Sequence, residues 1–433
     1  MANSNRAQFP KADPSFIIRA RVLLPVVGPP IENGAVLVFR DRIAVAGPEK
    51  KLPAGLTSTV RQTLDLGDVI LMPGLVNAHC HLDYTGMAGL WPPPKKFIDW
   101  IPRIIAAKAE WSYSDYARSW LQGAKMLLAS GTTTVADIEA VPELLPDVWD
   151  ATPLRIMSFL EMTSVRPRRE PAEILNEALE RIASLDNIRC SAALSPHAPY
   201  STTAELLRLC ARAAREKHLR VATHVAESDQ EFDMFTYARG EMFDWLKRNE
   251  RDNSDCGHGT PLHHLESAGL MANGSFIAIH ANYLNEADFK MVAGRKLNVV
   301  HCPRSHEYFQ HAKFPLDQLL TAKANVCLGT DSLATTAKKE NEPLELNLFQ
   351  EMQAFSRANP TVAPETILKM ATINGARALG MAGKVGELSA HAFADMIAIP
   401  FTGPVADASA AVVNFSGHVH ASMIGGQWAI TPG

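Results

Sequence analysis

Pro73-Gly74-Leu75-Val76-Asn77-Ala78-His79-Cys80-His81-Leu82 is the stretch from which the fold is read. Pro73-Gly74 is a turn signal, and the apolar run after it reads as a strand. Side chains alternate faces along a strand, so His79 and His81 project inward together while Cys80 points outward toward a helix. Two imidazoles on one face at that spacing form half of a metal site.

Similar strands recur downstream at Thr133–Asp137, Leu154–Glu161, Ile188–Leu194, Arg220–Ala226, Ser275–His280, Leu297–His301 and Val326–Asp331. Helix-like stretches lie between them, among them Pro171–Leu185, Thr203–Lys217, Asp229–Arg248, Asn285–Ala293 and Phe314–Ala324. Eight strands alternating with helices predict an α/β fold, a (β/α)8 barrel of the TIM type. Upstream, Phe16–Leu24, the hairpin Ala35–Phe39 with Ile43–Ala46, and Val69–Met72 read as short strands. After a further helix at Pro364–Leu379, the segments Ala394–Pro400, Ala410–Val413 and Ala421–Thr431 return to strands. Strand-rich ends around a barrel predict a small β-sandwich domain built from both termini. The expected division is residues 1–72 plus 388–433 in the sandwich and 73–387 in the barrel.

Composition narrows the function. At about 150 residues per domain a chain of 433 would hold about three, but one barrel absorbs most of it and leaves two. Lys+Arg 42 against Asp+Glu 46 gives a net charge of −4, which disfavours a nucleic-acid partner bound through its phosphates. No stretch approaches about 20 uninterrupted apolar residues, so no membrane span is expected. Met1–Pro14 is polar and lacks the apolar run of a signal peptide. The six cysteines are scattered with no CxxC, which fits reduced thiols and a cytoplasmic location. The expected partner is a small molecule; a homodimer stays open.

In a parallel barrel the active site gathers at the C-terminal strand ends. The fifth strand ends in Thr223-His224-Val225-Ala226-Glu227, the sixth in Ile279-His280-Ala281-Asn282 and the eighth in Gly329-Thr330-Asp331-Ser332. Singly, His224 could be a hydrogen-bonded core histidine and Asp331 a helix cap. Together with His79 and His81 they supply three imidazoles plus one carboxylate, a set that suits Zn2+ or Fe2+ and leaves room for a water.

These residues also resemble a family. Pro73–Leu82 is similar to the signature strand of the amidohydrolase superfamily, and His224–Glu227, His280 and Thr330-Asp331 follow in that superfamily's order. The likeness runs from about Phe16 to Trp428. It is greatest to the mononuclear aminohydrolase branch, which holds adenosine-type and cytosine-type deaminases, adenosylhomocysteine and methylthioadenosine deaminases, and triazine hydrolases. Binuclear members bridge two metals with a carboxylated lysine on the fourth strand. Ile188–Leu194 has no lysine, so one metal is expected.

The resemblance implies roles. His79, His81, His224 and Asp331 would hold the ion, zinc before iron, and the ion lowers the pKa of water from about 15.7 toward ~7. Glu227 would shuttle the proton from water to a ring nitrogen and then to the leaving amine, which requires a dry site to raise its pKa. Its other reading is a carboxylate favoured by a helix N-terminus. His280 would orient the hydroxide and stabilise the tetrahedral adduct, and Asp331 would double as a base. Ser195-Pro196-His197-Ala198-Pro199-Tyr200-Ser201 is very like the Pro-His-Ala-Pro-Tyr segment of adenosylhomocysteine and methylthioadenosine deaminases, which makes His197 a substrate contact, or the segment is a structural turn.

The implied activity is hydrolysis of a carbon–nitrogen bond other than a peptide bond: an exocyclic amine on a purine- or pyrimidine-like ring is replaced by oxygen, releasing ammonia. In His301-Cys302-Pro303-Arg304-Ser305-His306, Arg304 and His306 depart from the relatives' usual residues, as does Ser332–Thr336. Both loops face the substrate. Arg304 could clamp an anionic group or make a surface ion pair, and His306 joins it as a substrate-side candidate. This context resembles aminodeoxyfutalosine deaminases and leans toward an adenosine derivative. The alternative keeps the metal and releases chloride or an alkylamine from an s-triazine. A non-catalytic barrel scaffold would have lost a ligand or Glu227, and all are present. Elsewhere, His263-His264 reads as a capped helix start, and His418 and His420 as part of a terminal strand. Arg166–Glu170 is either a solvated loop or part of the substrate rim. Glu161 could hydrogen-bond near the site, and Gln230–Gly259 reads as packing that could also wall or cover the pocket.

Overall fold

Both ends of the chain build one sheet and its middle builds another. In this computed structural model residues 15–433 are described, apart from 58–59, 61, 166–168, 273 and 339–343. The readings of Met1–Pro14 and of Arg166–Arg168 therefore lie outside the described residues. Strands β1 (Ser15–Leu23), β2 (Ile31–Phe39), β3 (Arg42–Pro48), β4 (Gln62–Asp65) and β5 (Val69–Pro73) come first. The predicted hairpin is β2–β3, turning at Arg40 with φ 55°.

The middle contributes β6 (Leu75–Cys80), β7 (Thr132–Glu139), β8 (Arg155–Met162), β9 (Cys190–Pro196), β10 (Val221–Val225), β11 (Phe276–His280), β12 (Asn298–His301) and β13 (Asn325–Leu328). The chain ends with β14 (Met396–Pro400), β15 (Ala421–Ile424) and β16 (Gln427–Ile430). Strands β6 to β13 pair in sequence order, all parallel, so the expected barrel is the fold. A separate mixed sheet, in the order β16-β15-β14-β5-β1-β2-β3 with β4 on β1, joins the two termini.

Alternation decides what each strand buries. Val76, Ala136, Phe159, Ala222, Ile277 and Cys327 belong to one apolar cluster to which all eight barrel strands contribute, the barrel interior. Their neighbours Leu75, Val135, Leu160, Val221, Phe276 and Val326 join a larger layer shared with the surrounding helices. Cys80 lies in that outer layer. All six cysteines are free and buried.

The ring closes between β13 and β6. Backbone N–H groups of Thr330 and Asp331 donate to the His79 carbonyl at 2.9 and 3.1 Å. Asn77 Nδ2 donates to Thr330 Oγ1 at 2.8 Å, and its Oδ1 accepts from the Thr330 N–H at 3.1 Å. Gly329 permits this approach, since a Cβ there would stand 2.8 Å from the His79 carbonyl oxygen. A buried ion pair ties the barrel to the terminal sheet: Arg155 Nε donates to Asp395 Oδ2 at 2.6 Å, with the Phe393 ring beneath the guanidinium.

Three local expectations change. Residues 410–413 are not a strand; they close a helix, Ala408–Val413, because Ala408-Ser409-Ala410-Ala411 favours helix more than Val412-Val413 favours strand. The helix expected over 229–248 is two, α3 (Asp229–Tyr237) and α4 (Glu241–Arg248), parted where Ala238 takes φ 50° and Gly240 φ 100°. The one expected over 364–379 breaks at Thr372, between Pro364–Met370 and Ile373–Ala378. Among the helices not foreseen are α1 (Ile101–Glu110) and α2 (Tyr113–Ala129), both between β6 and β7. Among the described residues no helix is long and apolar enough to cross a membrane.

Candidate active site

At the C-terminal mouth of the barrel, four strand ends converge. His79 Nε2 lies 3.5 Å from Asp331 Oδ1 and His81 Nε2 3.7 Å from the same oxygen. His81 Nε2 and His224 Nε2 are 3.3 Å apart. Ligand atoms of His79, His81 and Asp331 lie within 4.8 Å of one another, as do those of His79, His224 and His280. His280 Nε2 stands 3.5 Å from Glu227 Oε1 and 4.0 Å from Asp331 Oδ2. All six predicted residues are thus brought to one place, and all are buried.

Backbone turns complete the arrangement. Ala226, His280 and Asp331 have φ 50°, 71° and 53°, a left-handed conformation that non-glycine residues seldom adopt. On β11 the alternation places Ile277 and Ile279 in the barrel interior, and the turn at His280 brings its ring into the mouth as well.

The polar atoms fit a cation. Neither ring nitrogen of His79 has a hydrogen-bond partner, although the side chain is fully buried. Such a group carries a desolvation cost that a metal ion would remove. His224 Nδ1 is 2.9 Å from the His197 carbonyl, to which it donates, leaving Nε2 with its lone pair toward the cluster. Burial, reinforced by His79, pulls His81 down to about 3, and burial foremost pulls His224 well below the usual imidazole range. Both are therefore neutral at pH 7, the state a ligand needs. Burial works against ionisation of Asp331, but His79 beside it and the neighbouring imidazoles His280 and His81 hold it well below the carboxylate range. Three imidazoles and a carboxylate suit a single divalent ion with an open position.

Glu227 is the opposite case. Burial first, then the charges of Asp331 and Glu231, push its carboxyl well above the usual range, as a proton carrier requires. Its backbone N–H donates to Glu231 Oε2 at 2.9 Å, and its carbonyl accepts from Asn282 Nδ2 at 3.0 Å.

The substrate-side candidates separate. His197 sits beside the cluster, its ring 4.8 Å from that of His224, with Nδ1 2.6 Å from Ser201 Oγ. His306 Nδ1 is 3.2 Å from Asn282 Oδ1, so it touches the residue that holds the Glu227 carbonyl. Arg304 is buried and engaged by its own chain: Nε meets Glu351 Oε1 at 2.5 Å, Nη1 meets Gln350 Oε1 at 2.5 Å and Nη2 donates to the Glu345 carbonyl at 2.9 Å. Arg304 thus makes an ion pair, as the second reading had it, but a buried one rather than one on the surface. His263 lies in the first turn of the helix capped by Thr260, and His264 Nε2 is 3.6 Å from Asp255, both away from the cluster. His418 pairs with Glu345 at 3.5 Å.

Sequence reasoning missed Arg251. This buried guanidinium donates to the carbonyls of Tyr200, Pro199 and Thr202 at 2.9, 3.0 and 3.4 Å and grips both oxygens of Asp255 at 2.8 and 2.9 Å. It fastens the His197 loop to the segment after α4. There Phe97, Tyr200, Met234, Phe235, Met242 and Leu246 form an apolar cluster of their own, so residues 230–259 pack as expected. Arg251→Met is expected to cost about 3 kcal/mol, because it leaves Asp255 and three carbonyls without their donor. The shift in urea midpoint measures this, and a shift worth under about 1 kcal/mol would contradict the role.

A model described as the amidohydrolase family matches residues 70–429. A curated relative, the 5-methylthioadenosine/S-adenosylhomocysteine deaminase of Syntrophobacter fumaroxidans, is 30% identical over 391 residues, covering 86% of this chain and 81% of its own. An adenosine deaminase structure from Xanthomonas campestris with bound zinc superposes with a TM-score of 0.82 at 24% identity, over 96% of this chain and 92% of that one. The aminofutalosine deaminase of Helicobacter pylori in complex with methylthio-coformycin gives a TM-score of 0.84 at 19% identity, over 96% and 100%.

Proposed function

This chain belongs to the amidohydrolase family, and we propose that it is a zinc-dependent deaminase that converts the exocyclic amine of an adenosine-type nucleoside to an oxygen and releases ammonia. The observation that carries this reading is the joining of two sets in one buried mouth. His79, His81, His224 and Asp331 form a donor set for one divalent ion, and Glu227 and His280 flank it. Deaminase relatives along nearly the whole chain support it. Residues 73–387 form the catalytic barrel in this reading, and 1–72 with 388–433 the composite β domain.

Those four residues would hold a divalent ion, which would make hydroxide available at neutral pH by lowering the pKa of water from about 15.7 to about 7. The chain's own groups do the rest. Asp331, kept ionised, accepts a hydrogen bond from the attacking water and directs it at the ring carbon that bears the amine. Glu227, kept protonatable by burial, takes a proton from that water and gives it to the adjacent ring nitrogen as the carbon becomes tetrahedral. His280, held neutral with burial drawing it down to about 3, donates N–H to the oxygen that gains charge. Glu227 then takes the proton of the new hydroxyl group and passes it to the amine, the carbon–nitrogen bond breaks, and ammonia leaves while the carbonyl forms. Water is consumed, and no redox partner is needed.

Ammonia release should be measured for adenosine, 5′-deoxyadenosine, methylthioadenosine, cytosine-type and melamine-type compounds, with chloride release from a chlorotriazine in parallel. The adenosine-type compounds are expected to be deaminated. Chloride from the triazine with no ammonia from any amine would overturn the reading.

A further inference from the structure

The mouth has a second polar group that the reaction does not use. Glu161 ends β8 and His197 follows β9, whereas Glu227 and His280 stand at β10 and β11. The two groups thus occupy different arcs of the barrel rim. Lys108, from α1, reaches into the first arc: its Nζ lies 2.5 Å from Tyr84 Oη and 3.4 Å from Glu161 Oε2. Tyr84 stacks on His81, ring centroids 5.2 Å apart and 10° from parallel, so this arc adjoins the metal ligands. Glu161 Oε1 faces His197 Nε2 at 3.8 Å.

Both partners of the Glu161 carboxylate stand farther off than a good hydrogen bond allows. Each oxygen therefore keeps acceptor capacity in a site where only 10% of the side chain is exposed. Burial opposes ionisation of Glu161, yet Lys108, with His197 and His81, holds it down at about 2, so it is an acceptor only. Lys108 is 30% exposed and keeps N–H groups to donate.

The chemistry of a matching ligand follows from the signs. An anionic substituent would meet the Glu161 carboxylate and a cationic one the Lys108 ammonium. Neighbouring neutral hydroxyls suit both, since their O–H groups donate to the carboxylate and their oxygens accept from the ammonium. We propose that Glu161 and Lys108 determine specificity by holding vicinal hydroxyls, as on ribose, next to the heterocycle that faces Glu227 and His280. This inference rests on the deaminase reading above.

The test compares adenosine with 2′,3′-dideoxyadenosine. The unaltered enzyme is expected to favour adenosine by about 100-fold in kcat/KM, because a dideoxy sugar leaves buried polar groups unpaired. Glu161→Gln and Lys108→Met are each expected to shrink that preference to under about 10-fold. Calorimetric binding of inosine against 2′,3′-dideoxyinosine should lose its preference in parallel, without turnover. A merely structural pair would lower both substrates equally and leave the ratio intact, which overturns the inference, as does an unaltered enzyme indifferent to the hydroxyls. Lys108 is the more exposed of the two, so its variant carries the test if Glu161→Gln does not fold. Failure of the deaminase reading looks different: neither nucleoside releases ammonia.

Discussion

Glu227→Gln is expected to lower kcat by about 10³-fold or more while the protein keeps its metal and its melting temperature. The amide is nearly isosteric with the carboxyl and leaves the backbone contacts of residue 227 to Glu231 and Asn282 in place. It cannot take a proton from water or return one to the amine. Three measurements on one preparation decide the matter: metal per chain, thermal midpoint and ammonia release. Turnover within tenfold of the unaltered enzyme would remove Glu227 from the chemistry. Loss of metal together with activity would make it a structural support of the site.

His224→Ala is expected to do the reverse, removing metal and activity together. Even the loss of an outer partner of a metal ligand costs about 10–100-fold in affinity, so loss of the ligand itself should exceed about 100-fold. Metal that binds only the folded chain stabilises it by about 2.7 kcal/mol when present at 100 times its dissociation constant. The variant should therefore melt at the temperature of the chelated parent protein, and added zinc should not raise it. Full metal content in purified His224→Ala would take this residue out of the ligand set. The contrast with Glu227→Gln separates holding the ion from using it.

The barrel was legible because its strands are apolar runs of ordinary length, each set off from its neighbours by helical stretches. The cluster was legible for a related reason. Metal and acid–base chemistry needs imidazole and carboxylate, and those side chains are conspicuous where they interrupt apolar strand ends, as His79, His224 and Asp331 do. Residues that act through backbone carbonyls were not. Arg251 stands in a polar stretch where nothing local marks an arginine as buried, and nothing in the sequence ties Asn282 to the Glu227 carbonyl. The arginine staples carbonyls some fifty positions away, and only the folded chain brings them together. Lys108 escaped notice because α1 follows the Pro92-Pro93-Pro94 loop and carries its site-facing lysine on an otherwise ordinary amphipathic face. The capping box of Ser112 and Asp115, which starts α2, was available in the sequence and not used. The Ala408–Val413 error had a different source. Val412 and Val413 are β-branched and suit a strand, but burial of Ala408, Val412 and Val413 on one side accommodates the helix.

The closure of the barrel has one more consequence. His79 belongs to the first barrel strand and Asp331 follows the last, and they meet across the junction held by Asn77, Gly329 and Thr330. A cation shared by these two side chains is a rivet through the weld of the ring. Without it the joint would rest on the backbone bonds from Thr330 and Asp331 to His79 and on the Asn77 amide.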